Sequence, residues 1–206
     1  ELYAFVAQVI FKSTMSAFFG QRCTSDHLLQ AFQDFDDKFG YLAGGVPISM
    51  FAKAKEGLET LKASFVGDYW KNCSGLIQSR HELFKDDYSE KQEAALQSAV
   101  VWASVANTMP STFWTLYFAL RSPGTVERLR QEVEQAVNSD PTFDSSEALF
   151  QSPEALFKLM DQLPLLDSCI DEAMRISSGS MVMRVVKKDT TLDGETGTQF
   201  LVKKGS

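Results

Sequence analysis

Residues 89–122 read SEKQEAALQSAVVWASVANTMPSTFWTLYFALRS, and between Glu93 and Arg121 they contain no charged side chain. Ser89 and Gln92 have the spacing of a capping box, in which two side chains satisfy free N–H groups at the start of a helix. A Ser-Pro-Gly sequence follows and stops the helix. The pattern predicts one helix of about thirty residues, about 45–50 Å long. Because it is apolar on every side, other elements are expected to surround it.

The middle of this helix contains polar residues and a proline. Pro110 has no N–H, so the carbonyl of Ala106 loses its helical partner, and the proline ring opens the helix. We therefore predict a notch from Ala106 to Pro110, where a free carbonyl, the Asn107 amide and the Thr108 hydroxyl can bind water or a small polar ligand. A core helix with satisfied polar groups is the plain alternative. A membrane span is disfavoured, because polar side chains interrupt the apolar run.

Composition narrows the class of protein. The chain has 206 residues, 44% of them hydrophobic, and a formal net charge of −7. An acidic chain lacks the basic footprint of nucleic-acid binding, so no nucleic-acid partner is predicted. Cys23, Cys73 and Cys169 form no CxxC pair, so neither a zinc site nor a disulfide framework is indicated. His27 and His81 lie in polar helical segments and are predicted to be on the surface.

The rest of the chain has helical periodicity until Ile176. Residues 2–19 are apolar and aromatic and predict a buried helix. After Ile176 the pattern changes to β-type residues, with short strands predicted over 181–186, 190–192 and 199–202. The chain is therefore expected to be mainly α with a small β portion. Both ends of the sequence look cut, so we expect part of a longer protein.

Glu172 and Arg175 form an E-x-x-R motif in the sequence LDSCIDEAMRIS. Residues three apart face the same way on a helix and can pair. The motif alone is weak, because Glu127 and Arg130 form a second one on an amphipathic segment. The segment around Glu172 is more apolar and leads into the predicted strands. A Glu–Arg pair buried there is expected to be structural, since either partner alone would be an uncompensated charge.

Three motifs carry a resemblance to a known family. They are WASVANTMPSTFW at 102–114, LDSCIDEAMRISS at 166–178 and FDDKFGYLAGGVPISMF at 35–51. With the order of long helix, E-x-x-R helix and strands, they resemble the cytochrome P-450 family, and within it the sterol and oxysterol 7α-hydroxylase branch. The resemblance covers essentially the whole chain. It implies that residues 1–206 are the central part of one P-450 domain, with the long buried central helix, the E-x-x-R helix and the start of the small sheet. The N-terminal anchor and the C-terminal haem-thiolate region would lie outside the chain.

The resemblance also implies roles for individual residues. Thr108 matches the central-helix threonine that helps to deliver protons during oxygen activation at the haem iron. Asn107 stands where most members have a carboxylic acid. Because an amide is not an acid, Asn107 is expected to orient water or a substrate hydroxyl. Glu172 and Arg175 match the structural pair beneath the haem, and Arg184 matches a residue that binds a haem propionate.

Further positions are implied to line the haem and substrate site. Ala106 would lie against the haem. Substrate contacts are expected from Trp102, Val105, Ala106, Val182 and Met183, with ordinary core packing as the alternative. No metal ligand is expected in the chain, because none of its cysteines lies in the F-x-x-G-x-x-x-C-x-G motif that supplies the haem thiolate. The axial thiolate drives O–O cleavage, so these residues alone are expected to be inactive.

For the intact protein the resemblance implies a monooxygenase that hydroxylates a sterol or oxysterol at C7, with haem as cofactor. Electrons would come from NADPH through cytochrome P-450 reductase, and the protein would be attached to the cytosolic face of the endoplasmic reticulum membrane. A sterol 12α-hydroxylase and a prostacyclin synthase-like isomerase are rivals within the family. Thr108 favours a hydroxylase, because isomerisation needs no proton delivery to dioxygen. A non-enzymatic helical module that binds lipid is the rival from another class.

Overall fold

The computed structural model describes residues 1–139, 152–177, 185–194 and 197–205. They belong to two compact units, residues 1–174 and 175–206. The prediction of a mainly α chain with a small sheet is confirmed. The described helices are α1 Leu2–Phe19, α2 Asp26–Ala43, α3 Ala52–Ala63, α4 Gly75–Phe84, α5 Glu90–Val105, α6 Thr108–Arg121, α7 Thr125–Ser139, α8 Pro153–Met160 and α9 Pro164–Ser177.

Helix α1 supplies one wall of the main core. Phe11, Met15 and Phe19 recur every four residues and therefore share one face of the helix, where all three are fully buried. The opposite face is open, with Phe5 61% exposed. The prediction of a buried helix is thus correct for one face. In the described residues, α1 is the one helix long and apolar enough to cross a membrane, judged by length and composition alone.

Helices α2 and α3 pack closely at one glycine. A Cβ placed on Gly57 of α3 would lie 2.3 Å from the carbonyl oxygen of Ala31 on α2. No side chain can occupy that space unless one of the two helices moves. The absence of a Cβ at Gly57 therefore fixes how α2 lies against α3.

Replacing Gly57 by alanine is expected to destabilise the full-length protein by about 1–3 kcal/mol, because the clash is with backbone. Gly40→Ala is the matched control, since Gly40 is also helical and its added Cβ would meet no atom within 4 Å. That change is expected to be neutral or stabilising by up to about 1 kcal/mol. Thermal unfolding followed by circular dichroism measures both. Equal midpoints for the two variants would contradict the close contact.

The predicted single long helix is two helices. Helix α5 ends at Val105 and α6 begins at Thr108, with Ala106 and Asn107 between them. Pro110 is the third residue of α6, and a proline is tolerated in a first turn because N–H groups there have no intrahelical partner. The proline therefore marks an interruption of the helical hydrogen bonds, while the backbone angles of Ala106 and Asn107 stay in the α-helical region. The capping box at the start of α5 is confirmed, with both hydrogen bonds of the box present.

Among the described residues, each of the two helices has one covered face and one open face. Helix α5 buries Val101 and Val105 in the main core and leaves Ala99 and Ala103 exposed. Helix α6 buries Met109 in the same core, whereas its Leu120 is 62% exposed. The expectation that other elements surround the region on every side is therefore not met by the described residues.

The second unit contains an antiparallel hairpin. Strand β1, Thr190–Asp193, pairs with β2, Gln199–Val202, and Thr190 lies opposite Val202. The predictions of strands at 190–192 and 199–202 are confirmed. Of the strand predicted over 181–186, only residues 185 and 186 are described, and neither is in a strand.

Candidate functional site

A cavity of about 590 Å³ lies between α6 and α9. On α6 the lining residues Thr108, Ser111, Thr112 and Thr115 follow the spacing i, i+3, i+4, i+7, which places them on one face. The wall from α9 is mostly apolar and carries one carboxylate. The cavity thus combines a row of hydroxyl groups with an apolar wall. Its α9 lining residues are Leu166, Ile170, Asp171 and Met174, and the lining also includes Leu116 of α6 and Asn107 at the helix break.

A side chain of α7 holds the start of α9 in place. The Glu132 carboxylate accepts hydrogen bonds from the backbone N–H groups of Leu165 at 2.6 Å and Leu166 at 3.0 Å. Free N–H groups at a helix N-terminus favour a negative charge. This carboxylate therefore caps α9 at the turn that supplies Leu166 to the cavity.

Thr108 and Asn107 lie where the helix break opens onto the cavity. The Thr108 hydroxyl donates to the carbonyl of Ser104 at 2.9 Å. Its proton is thereby committed to the backbone, and its lone pairs remain available as acceptors. Pro110 leaves the Ala106 carbonyl without the N–H that a helix would supply at that position. The polar groups expected in the notch are present, and both Asn107 and Thr108 are exposed.

Trp102 lies more than a turn before the break and is held by two residues of α2. Its indole Nε1–H donates to Asp36 Oδ1 at 2.8 Å. The Phe39 ring stacks on the indole, with centroids 3.8 Å apart and planes 25° from parallel. The pKa of Asp36 is raised, mainly because the carboxyl is partly buried. The hydrogen bond from Trp102 opposes this effect, and the negative charge of Asp37 adds to it.

The other predicted site residues are in different surroundings. Val105 is fully buried in the main core, and Ala106 is partly buried against it. For these two residues the structure shows core packing, which was the alternative to substrate contact. Glu172 and Arg175 lie three residues apart on α9, and Glu172 lines a cavity of about 220 Å³ with Thr115 and Cys169. Val182, Met183 and Arg184 lie outside the described residues.

A buried polar cluster at the start of α5 escaped the sequence analysis. Glu93 is 5% exposed, and its carboxylate accepts a hydrogen bond from the Tyr69 hydroxyl. The Nδ1 atom of His81 lies 2.8 Å from the same carboxylate oxygen. Gln97 donates to the Tyr69 oxygen at 3.0 Å. Burial, followed by the hydrogen bond to Glu93, raises the pKa of Tyr69.

The prediction that His81 is a surface residue is wrong. Its side chain is 17% exposed, and its ring stacks on Trp70 with centroids 4.7 Å apart. His27 is exposed as predicted. The available signal was the spacing of Glu93 and Gln97, which are four residues apart at the start of the long uncharged run and so share a face of the helix.

Comparison with known proteins decides the family. Residues 69–206 match the family model described as Cytochrome P450. The chain belongs to the cytochrome P450 family. Its relatives include the cholesterol 7-alpha-monooxygenase of Cricetulus griseus, which is 34% identical over 98% of this chain and 42% of its own length. Cytochrome P450 7B1 of Mus musculus is 28% identical over 100% of this chain and 42% of its own length.

A third P450 relative, the 25-hydroxycholesterol 7-alpha-hydroxylase of Rattus norvegicus, is 27% identical over 98% of this chain and 51% of its own length. The chain therefore spans about half the length of the curated relatives that it matches. Relatives named for two different sterols match the same residues.

P450 proteins carry a haem iron, and the chemistry of the cavity fits one side of such a group. The α6 face offers uncharged hydroxyl groups, Asn107 adds an amide, and α9 supplies apolar side chains together with the Asp171 carboxylate. No cysteine or histidine is among the described residues that line this cavity. Cys23 and Cys73 are buried in the main core, and Cys169 lies at the smaller cavity instead. The described lining thus fits a haem with mostly uncharged and apolar groups and supplies no thiolate or imidazole ligand for its iron.

Proposed function

We propose that the full-length protein is a haem-dependent monooxygenase that hydroxylates a sterol or oxysterol at C7 in the α configuration. The observation that carries the proposal is the alignment of nearly the whole chain with relatives named for 7α-hydroxylation. The polar row at the helix break supports it, because a monooxygenase needs water and hydroxyl groups beside its reacting centre. The haem, when bound, supplies oxygen activation.

Thr108 is proposed to hold the water that brings protons to the reacting centre. Its hydroxyl already donates to the Ser104 carbonyl, so it acts toward a water molecule as an acceptor. A water that donates one hydrogen to Thr108 can direct its other hydrogen into the cavity. Such positioned proton transfer contributes about 10²–10⁴-fold to a rate.

Asn107 is proposed to orient this water or a substrate hydroxyl. Its amide has two donors and one acceptor oxygen, and it cannot release a proton. The protons therefore originate from solvent water in the open part of the cavity. Ala106, which precedes the amide in the break, is proposed to lie against the haem.

The remaining residues that the family resemblance singles out are proposed to hold the haem and the substrate. Arg184 would bind a propionate, since a guanidinium forms strong charge-assisted hydrogen bonds with carboxylates. Glu172 and Arg175 would form the structural pair of the E-x-x-R helix. Substrate contacts are proposed for Trp102, Val182 and Met183, whereas Val105 is fully buried in the main core.

The proposed partners follow from the same resemblance. NADPH would supply electrons through cytochrome P-450 reductase, and the protein would be attached to the cytosolic face of the endoplasmic reticulum membrane. Helix α1 is long and apolar enough for a span, but one of its faces packs into the main core. The proposal of membrane attachment therefore rests on the family and not on α1.

Turnover of the purified full-length protein distinguishes the candidate functions. With cholesterol or 25-hydroxycholesterol, NADPH and a reductase, we expect NADPH-dependent formation of a monohydroxylated sterol. A sterol 12α-hydroxylase would oxidise C12. An isomerase would convert an endoperoxide without NADPH, and a lipid-binding module would bind the sterol without converting it. Any of these three outcomes contradicts the proposal.

A further inference from the structure

Three polar groups that line the cavity between α6 and α9 present hydrogen-bond acceptors to it. The Thr108 hydroxyl donates to the Ser104 carbonyl at 2.9 Å, and the Thr115 hydroxyl donates to the Ser111 carbonyl at 2.8 Å. Because both protons are committed to the backbone, each hydroxyl offers its lone pairs to the cavity. On the α9 wall, the ionised Asp171 carboxylate can only accept. A molecule that fills the cavity must therefore bring donors to satisfy these three groups.

Asp171 gains most from a bound donor. It is the one charged residue among the described residues that line this cavity, and its side chain has no hydrogen-bond or ion-pair partner there. The residue is exposed, so water solvates its carboxylate while the cavity is open. A molecule that enters the cavity displaces part of this water. The resulting loss of hydration is offset only if the molecule supplies a hydrogen-bond donor to the carboxylate.

The other walls of the cavity indicate what else such a molecule contains. Leu116 of α6 and Leu166, Ile170 and Met174 of α9 place apolar side chains beside the carboxylate. The volume of about 590 Å³ lies within the range of cavities that bind small molecules. A mostly apolar wall with one unpaired carboxylate fits an apolar molecule that carries at least one hydroxyl group.

We propose that Asp171 is a specificity-determining residue that accepts a hydrogen bond from a hydroxyl group of the bound sterol. Sterols with a free hydroxyl group are then preferred over the same ring system without one. The identity of the molecule rests on the proposed function, whereas the need for a donor follows from the cavity itself. A haem does not supply this donor, because its propionates are carboxylates and would be repelled by Asp171.

The test measures sterol binding to the full-length, haem-loaded protein by equilibrium dialysis, which depends on neither turnover nor a spectral change. The probes are cholest-5-ene, which has no hydroxyl group, cholesterol, which has one, and 25-hydroxycholesterol, which has two. Asp171→Leu is expected to weaken binding of 25-hydroxycholesterol by about tenfold, the effect of losing a hydrogen bond to a charged group. Binding of cholest-5-ene should be unchanged or tighter, because this sterol no longer covers a carboxylate.

Cholesterol and two further variants complete the test. If cholesterol also loses affinity in Asp171→Leu, the 3β-hydroxyl is the donor, and if it does not, the side-chain hydroxyl is. Asp171→Asn should retain most of the preference, because the amide oxygen still accepts. Asp167→Leu is the control, since Asp167 is an exposed carboxylate of the same helix that is not among the residues lining the cavity. It should leave the relative affinities of the three sterols unchanged.

The outcomes separate this inference from the proposed function. Equal affinities of Asp171→Leu and the wild type for all three sterols, or an equal loss for all three, would overturn the role of Asp171, whatever turnover shows. If the wild-type protein binds none of the sterols, both proposals fail. If the preference depends on Asp171 but no hydroxylated product forms, the proposed function fails and the role of Asp171 in binding stands. The carbon monoxide spectrum of each reduced variant confirms that haem is bound and the fold retained.

Discussion

Replacing Thr108 by valine is expected to lower the rate of sterol hydroxylation by the full-length protein by about 10²-fold. Valine has nearly the shape of threonine but no hydroxyl, so the water proposed to be held at the helix break loses its acceptor. NADPH should still be consumed, but more of it should yield peroxide or water instead of hydroxylated sterol. The measurement is the ratio of product formed to NADPH consumed.

The fold should tolerate Thr108→Val. Thr108 is exposed, and the hydrogen bond that it donates ends on the Ser104 carbonyl within the same stretch of backbone. Ser98→Ala is the control, because the Ser98 hydroxyl makes the same kind of bond, to Ala94 at 2.8 Å, but on α5 and away from the cavity. The control should retain nearly full activity. If both variants lose activity equally, or neither does, Thr108 has no special role.

Replacing Glu93 by leucine is expected to lower the free energy of unfolding by about 2–6 kcal/mol, because each of two buried hydrogen-bonding groups left without its partner costs about 1–3 kcal/mol. The loss would leave the Tyr69 hydroxyl and His81 without their shared acceptor in a buried site. Gln97 would lose a correctly oriented partner as well, because it donates to the same Tyr69 oxygen. Chemical denaturation followed by circular dichroism measures the change.

Glu90→Leu is the control for Glu93→Leu. Glu90 belongs to the same helix but is exposed, and its carboxylate accepts one hydrogen bond, from the Gly67 N–H at 2.6 Å. Its replacement should cost about 1 kcal/mol, the usual value of a single hydrogen bond. Equal losses for the two variants would show that burial of the polar cluster contributes little to stability.

The sequence allowed prediction of the local features of residues 89–122. The capping box at Ser89 and Gln92 forms, and Pro110 marks the place where the helix is interrupted. These features depend on groups a few residues apart, so the local sequence determines them. How many helical hydrogen bonds are lost at the interruption depends on the two residues before Thr108 and on their tertiary contacts. A periodicity argument does not contain that information.

The hydrogen-bond partners of the buried polar groups were not predictable, because they lie far apart in the sequence. Glu93 and Tyr69 are 24 residues apart, and Trp102 and Asp36 are 66 apart. A charged residue is ordinarily exposed unless it is paired, and its partner becomes known only when the fold is known. The exposure of Leu120 has the same origin, because an apolar pattern indicates what is suited to burial but does not name the covering element.

We propose that the full-length protein inserts one oxygen atom into a sterol at C7. The most direct measurement is turnover of cholesterol and 25-hydroxycholesterol under isotopically labelled dioxygen, with the product identified by mass spectrometry and magnetic resonance. The account predicts one labelled oxygen atom, located in a hydroxyl group at C7 in the α configuration. A product hydroxylated at another carbon, or a C7 hydroxyl whose oxygen is unlabelled, would contradict it.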